Sequence, residues 1–255
     1  MSEILVTTGL AYGPHERQKL DVFRPAGAPG APLVLLIHGG GWSGGCREQY
    51  WRTALPLAEA GIASATIGYR LLPDAAWPEM PYDVLRGAEF LGRNAGKLGI
   101  DASRAVTWGS SAGGHLALML QAWRDRWLAE GVVSAAPEIA GTVAMCPVVD
   151  FPKPAPEAIN RRALMNGHPH EEVSPAHVEP GLFRSVLVVQ GDADETTPLE
   201  HARAFAERLT AAGVDSRLEV IPGAGHGFGY DTLGKPGRAG LDAAIPYVKG
   251  LYGSA

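Results

Sequence analysis

The clearest candidate for chemistry is Ser111, the middle residue of a Gly-x-Ser-x-Gly pattern that runs from Gly109 to Gly113. The residues before this pattern favour a buried β-strand, and the apolar run 116–120 after it favours a helix. A serine on so tight a turn needs small neighbours and takes a strained backbone conformation that exposes its hydroxyl. The pattern therefore predicts a nucleophilic serine, followed by the amide of Ala112 at a helix N-terminus, where it can stabilise an anion.

A serine hydroxyl needs a neighbouring base at neutral pH, and His226 is the best placed of the eight histidines. Small residues flank it after the last expected strand, so its loop can bring the imidazole over the serine. The base in turn needs a carboxylate that holds its tautomer. The loop after the apolar run 186–189 supplies three carboxylates, among which spacing alone does not choose: Asp192, Asp194 and Glu195.

Hydrogen-bond donors for an oxyanion are expected from the segment His38–Trp42, which reads His-Gly-Gly-Gly-Trp. It ends the apolar run 33–37, and its glycines let backbone amides face a ligand without obstruction by side chains. Loss of one such donor costs about 100- to 1,000-fold in rate in a well-studied protease, so this loop is predicted to matter for mechanism.

Apolar runs that alternate with helical patterns must position these residues. The unbroken run 33–37 is typical of a strand covered on both faces, whereas residues 3–8 and 19–24 favour an antiparallel pair. The alternation predicts an α/β fold with a mostly parallel central sheet of about eight strands, flanked by helices. Besides the elements around Ser111, strands are expected at 62–69, 140–149, 186–189 and 218–221, and helices at 48–60, 81–98, 198–212 and 241–251.

The chain is expected to form a single domain over residues 1–255, because neither a repeat nor a linker divides it. Residues 150–180 are the least regular stretch and lie between two expected core strands. Ligands bind at the carboxyl ends of such strands. We therefore interpret this excursion either as a lid or wall of the site or as an ordinary surface loop.

Composition argues against several kinds of partner. The net charge is -5 with acidic and basic residues interspersed, so nucleic acid is not expected to bind. No apolar run approaches the roughly 20 residues that span a bilayer, and the N-terminus does not resemble a signal peptide. A cytoplasmic location is expected, with Cys46 and Cys146 as free, inert thiols. No metal-ligand spacing or cofactor fingerprint is present, so neither a metal nor a cofactor is predicted.

Four stretches carry a resemblance to a known family: His38–Trp42, Tyr69–Pro73, Gly109–Leu116, and Gly191–Asp194 with Gly225–Gly227. Taken together, they resemble the α/β-hydrolase superfamily, most closely the small esterase/lipase branch that carries His-Gly-Gly-Gly-Trp. In that fold the triad follows the chain order serine, acid, histidine.

The resemblance assigns a role to each candidate residue. It implies that Ser111 is the nucleophile, Asp194 the acid and His226 the base. The oxyanion hole would consist of the amides of Gly40, Gly41 and Ala112. Two aromatic residues adjoin these segments and are expected either to line the substrate-binding pocket or to belong to the core: Trp42 and Phe228.

The resemblance implies a serine carboxylesterase that cleaves small carboxylic esters through an acyl-enzyme, with a minimal cap and an open site. Kynurenine formamidases share the opening at Tyr12–Asp21, so an amide hydrolase with the same triad is the alternative. A ligand-binding member of the fold without activity is a third hypothesis. The expected partner is a small ester or amide, and the sequence leaves a homodimer open.

Overall fold

An eight-stranded sheet forms the centre of the protein in a computed structural model that describes residues 3–151 and 159–253. The strand order is β1-β2-β4-β3-β5-β6-β7-β8. Strand β2 is antiparallel to both β1 and β4, and the remaining neighbours are parallel, as expected. The strands are β1 (Ile4–Ala11), β2 (Lys19–Pro25), β3 (Ala31–Ile37), β4 (Ala63–Ile67), β5 (Ile100–Ser110), β6 (Glu138–Met145), β7 (Ser185–Gly191) and β8 (Asp215–Ile221).

Helices cover both faces of this sheet. Apolar residues of α2, α3 and α6 pack on one face, and those of α1 and α7 pack on the other. Among the described residues, none of the helices combines the length and the apolar composition of a membrane-spanning segment. The helices are α1 (Trp51–Glu59), α2 (Glu79–Leu98), α3 (Ala112–Ala129), α4 (Ile159–Met165), α5 (His170–Val173), α6 (Leu199–Ala211) and α7 (Lys235–Tyr252).

Strand β3 explains why the sequence specifies a two-layered core. Every residue from Leu33 to Ile37 is fully buried, and successive side chains point to opposite faces. Leu35 therefore packs under α2 and α3, whereas Leu36 packs under α1 and α7. Burial of one such side chain contributes about 1.5–3 kcal/mol, so an unbroken apolar run holds both layers to the sheet.

Three elements have bounds that differ clearly from those expected. The strand expected at 140–149 ends at Met145, because Cys146 takes a φ of +36° and Pro147 follows, which turns the chain out of the sheet. The last helix starts at Lys235 rather than near residue 241. The expected helix at 48–60 begins with a 3-10 turn, Arg47–Tyr50, that leads into α1.

The excursion at 150–180 contains α4, α5 and the 3-10 turn Pro175–His177, and a second 3-10 turn begins at its last residue, Pro180. Residues 152–158 lie outside the described part. Leu164 and Val173 are fully buried. The excursion is tied to the rest of the fold, because the amide of Trp77 donates to the Leu164 carbonyl at 2.8 Å. Its role as a lid or wall stays a prediction.

Candidate active site

Ser111 stands on the tight turn between β5 and α3 with φ = 57° and ψ = -121°. A non-glycine residue at positive φ is strained. The turn is fixed by hydrogen bonds from the Ser111 amide to the Met145 carbonyl at 2.9 Å and from the His115 amide to the Ser111 carbonyl at 3.0 Å. A Cβ added to Gly109 would lie 2.1 Å from the Gly113 carbonyl oxygen, so the turn requires glycine there.

The structure brings three of the predicted side chains into consecutive hydrogen-bond contact. His226 Nε2 lies 2.9 Å from Ser111 Oγ, and His226 Nδ1 lies 2.9 Å from Asp194 Oδ2. These residues lie at or after the carboxyl ends of β5, β7 and β8. Of the other carboxylates considered from sequence, Asp192 accepts a hydrogen bond from the Gly223 amide at 2.6 Å and so supports the loop.

The Asp194 carboxylate is held rigidly and is fully buried. Oδ1 accepts hydrogen bonds from the amides of Thr196 and Thr197, both at 2.9 Å, and Oδ2 accepts from Thr197 Oγ1 at 2.9 Å. Burial raises the pKa of Asp194, but these bonds and the contact with His226 outweigh it and lower the pKa below its usual range. The carboxylate is therefore ionised at neutral pH and favours a proton on His226 Nδ1.

His226 has an unusual protonation equilibrium. Burial lowers its pKa, but the Cys146 sulfur and the Asp194 carboxylate outweigh that effect and raise the pKa to about 9. Its side chain is 26% exposed, so the imidazole stands between the buried carboxylate and solvent. Such an environment stabilises an imidazolium, which is the state that forms when a base takes the proton of a serine.

The segment His38–Trp42, called the glycine loop below, lies beside Ser111. A Cβ added to Gly39 would lie 3.2 Å from Ser111 Cβ, and Gly40 and Gly41 have φ of +120° and +59°. Within the described part of the chain, the amides of Gly40, Gly41 and Ala112 donate no hydrogen bond. These three amides therefore have no hydrogen-bond acceptor among the described residues.

Trp42 and Phe228 belong to the core in this structure, with 3% and 7% of their surface exposed. Trp42 Nε1 donates to His115 Nδ1 at 3.3 Å, and its ring packs against Phe151 with 5.4 Å between centroids. Phe228 packs in the layer under α1 and α7. Their role in substrate binding stays a prediction.

Three residues near the site escaped the sequence analysis. Tyr230 Oη accepts a hydrogen bond from the Gly39 amide at 2.5 Å, and Thr197 Oγ1 lies 3.3 Å from His226 Nδ1. Cys146 is free, as expected, but it lies in the site: its sulfur, an Asp194 oxygen and a His226 nitrogen are all within 4.8 Å of one another. Its position after β6, the strand beside β7, was the available signal.

Comparisons with known proteins identify the family of the chain. The BD-FAE family model matches residues 20–209, well over half of the chain. Esterase LipC of Mycobacterium tuberculosis (strain ATCC 25618 / H37Rv) is 31% identical over 242 residues, which cover 85% of this chain and 58% of LipC. Carboxylesterase NlhH of the same strain is 29% identical, with 82% of this chain and 70% of NlhH covered.

The solved structure of an inhibited esterase B from Lactobacillus rhamnosis superposes with a TM-score of 0.85 at 22% identity, covering 98% of this chain and 87% of that one. This likeness shows the fold. The chain spans about three fifths of the length of the first curated relatives that it matches, between 58% and 63%. The family-model match over residues 20–209 shows that the chain belongs to the BD-FAE family, an α/β-hydrolase esterase/lipase family.

Proposed function

We propose that this chain is a serine carboxylesterase that cleaves small carboxylic esters through an acyl-enzyme. The observation that carries the proposal is the continuous line from Ser111 Oγ through His226 to Asp194, with 2.9 Å at each contact. Both contacts are hydrogen-bond distances, so a proton can pass from the hydroxyl to a base whose tautomer the carboxylate holds.

Each step assigns a proton to a named atom. Ser111 Oγ attacks the ester carbonyl carbon while His226 Nε2 takes the hydroxyl proton. The imidazolium then gives this proton to the leaving alkoxide, which departs as the alcohol and leaves the acyl-enzyme. Water attacks the acyl carbon, and His226 again takes and returns a proton, which releases the acid and restores Ser111.

The backbone amides of Gly40, Gly41 and Ala112 complete this proposal as oxyanion donors. Negative charge develops on the carbonyl oxygen in both tetrahedral intermediates. The amide of Ala112 is at the N-terminus of α3, where the helix dipole adds to the stabilisation. Their lack of hydrogen-bond acceptors among the described residues supports this role.

Esters are favoured over formamides as the substrate class. LipC and NlhH are named an esterase and a carboxylesterase, and this supports ester hydrolysis by the related chain. The formamidase alternative uses the same triad and has no support from these relatives. A panel of acetyl to octanoyl esters together with N-formylkynurenine separates the two, and a specificity constant that favours the formamide would overturn the proposal.

The direct test replaces the serine. Ser111→Ala should lower kcat for a short p-nitrophenyl ester by at least about 1,000-fold, because the nucleophile is lost. The neighbouring Ser110→Ala is the matched control and should keep most of the activity. Circular dichroism establishes that both variants fold. A folded Ser111→Ala variant with most of its activity would show that another residue attacks the ester.

A further inference from the structure

Cys146, Asp194 and His226 form a compact set of potential metal ligands. Their nearest sulfur, oxygen and nitrogen atoms all lie within 4.8 Å of one another, which holds for no other such trio among the described residues. The three residues follow β6, β7 and β8, which are neighbours in the sheet. The carboxyl ends of three adjacent parallel strands therefore bring a thiol, a carboxylate and an imidazole together.

The backbone around Cys146 fixes the place of this thiol. The Cys146 amide donates to the Val189 carbonyl at 2.8 Å, and the Cys146 carbonyl accepts from Thr197 Oγ1 at 3.2 Å. Both contacts tie the residue to β7 and the loop that carries Asp194. The side chain is fully buried, with Ser110 Oγ at 3.2 Å from the sulfur. The thiol is therefore anchored in the site.

We propose that these three side chains bind a thiophilic divalent cation such as Zn²⁺, and that this ion inhibits the enzyme. Zn²⁺ accepts one sulfur, one nitrogen and one oxygen ligand in a tetrahedral site, with water in the fourth position. Its bond lengths place such ligand atoms about 3.3–3.6 Å apart. His226 Nδ1 and Asp194 Oδ2 are 2.9 Å apart and need to separate by a few tenths of an ångström. The sulfur lies within 4.8 Å of its partners' ligand atoms and needs to approach them by at most about 1.5 Å.

Binding changes the protonation of the imidazole. The thiol and His226 Nδ1 lose their protons to solvent, and Nε2 keeps the proton that it carries when the imidazole is protonated. The ion forms bonds to Cys146 Sγ, His226 Nδ1 and Asp194 Oδ2, and nothing is oxidised or reduced. Nε2, which lies 2.9 Å from Ser111 Oγ, then carries a proton and cannot accept another. The inhibition rests on the proposed esterase function, whereas binding of the ion does not.

Direct binding is tested with Co²⁺ in the Cys46→Ser variant, in which Cys146 is the single remaining thiol. We expect a near-ultraviolet thiolate-to-cobalt charge-transfer absorption that saturates and that Zn²⁺ displaces. Cys46 is exposed, so its replacement spares the core and the fold. If Co²⁺ produces no such absorption, the metal site is overturned.

Inhibition is tested by comparing Cys46→Ser with the double variant that also carries Cys146→Ser. The activity of each variant with Zn²⁺ is divided by the activity of the same variant in the presence of a metal chelator. Loss of a residue that only supports a metal ligand typically lowers metal affinity by about 10- to 100-fold. Loss of a directly bound thiolate should therefore weaken Zn²⁺ inhibition by at least as much. Equal inhibition of both variants would overturn the proposal. A cobalt absorption in a protein that hydrolyses no ester would support the metal site and refute the esterase function.

Discussion

The two nitrogens of His226 have separate partners, and this division decides how activity should depend on pH. Nδ1 faces the ionised Asp194, while Nε2 faces Ser111. Burial lowers the pKa of His226, but Cys146 and Asp194 raise it to about 9, above the usual value near 6.5. Only the neutral imidazole can accept the Ser111 proton, so the active fraction of the enzyme grows as pH rises toward that pKa.

We therefore expect kcat/KM for a short ester to fall by about tenfold for each pH unit below the pKa of His226. Initial rates between about pH 6 and about pH 10 measure this, with Ser111→Ala as the blank for alkaline hydrolysis. A profile that is already flat near pH 7 would contradict the raised pKa.

Asp194 makes a matched prediction at the same scale. Asp194→Asn removes the charge that favours the imidazolium, so the midpoint of the pH profile should move to lower pH. The rate should fall by about 10,000-fold, as in the comparable protease variant, because the wrong imidazole tautomer is then favoured. The adjacent Asp192→Asn is the control, since Asp192 contacts the Gly223 amide and not His226. Equal losses in both variants would remove the special role of Asp194.

At the scale of elements, the short 3-10 helix Phe228–Tyr230 follows His226 in the chain and contacts the glycine loop through a hydrogen bond. Tyr230 Oη accepts the hydrogen bond of the Gly39 amide, across 191 residues of sequence. Burial raises the pKa of the Tyr230 phenol, so it stays neutral and keeps its hydroxyl proton. One phenol therefore links the segment that carries the proposed base to the segment that carries the proposed oxyanion donors.

Tyr230→Phe should leave the Gly39 amide unpaired and loosen the glycine loop. We expect kcat to fall by about tenfold or more, with a smaller change in KM, because oxyanion donors act in the transition state. Tyr252→Phe is the control. It loses a hydrogen bond of 2.5 Å to the carbonyl of Leu33, which lies near the start of β3, whereas the glycine loop follows the end of β3. If both variants lost only stability, Tyr230 would have no part in positioning the loop.

His115 ties the first turn of α3 to the excursion. Burial lowers its pKa to about 4, so the ring is neutral, and Nε2–H donates to the Val173 carbonyl at 2.7 Å. His115→Ala should destabilise the protein by at least about 1–3 kcal/mol, the cost of a buried group that loses its partner. Amides of 159–180 should then exchange hydrogen faster. His168→Ala, at a half-exposed ring, is the control, and unchanged exchange in His115→Ala would refute the tether.

The elements of this fold were predictable where the signal is local, and the site was predictable only in part. The apolar run in β3 and the Gly-x-Ser-x-Gly turn each depend on neighbouring residues, so pattern and resemblance located them. Tyr230 and Cys146 became part of the site through contacts across the sheet. The periodic pattern of apolar residues predicts neither the hydrogen bond between Gly39 and Tyr230 nor the φ of +36° at Cys146. These features arise only once the strands are paired.

At the scale of the whole molecule, the site depends on a sheet with a packed layer on each face. Its candidate residues lie at or after the carboxyl ends of four strands, and their distances hold only while those strands stay aligned. Strand β3 is central to this alignment, because it pairs with both β4 and β5. Leu36 of β3 pairs with Trp108 of β5 and packs in the layer under α1 and α7.

Leu36→Ala should lower the free energy of unfolding by about 2–5 kcal/mol, because it leaves a cavity in a fully buried layer. Leu233→Ala, at a side chain that is 80% exposed, should change it by less than about 0.5 kcal/mol. Denaturation in urea measures both. Since the Leu36 side chain lies in the buried layer under α1 and α7, the folded variant should keep its KM and lose activity at a lower temperature. A variant as stable as Leu233→Ala would show that this layer does not hold the sheet.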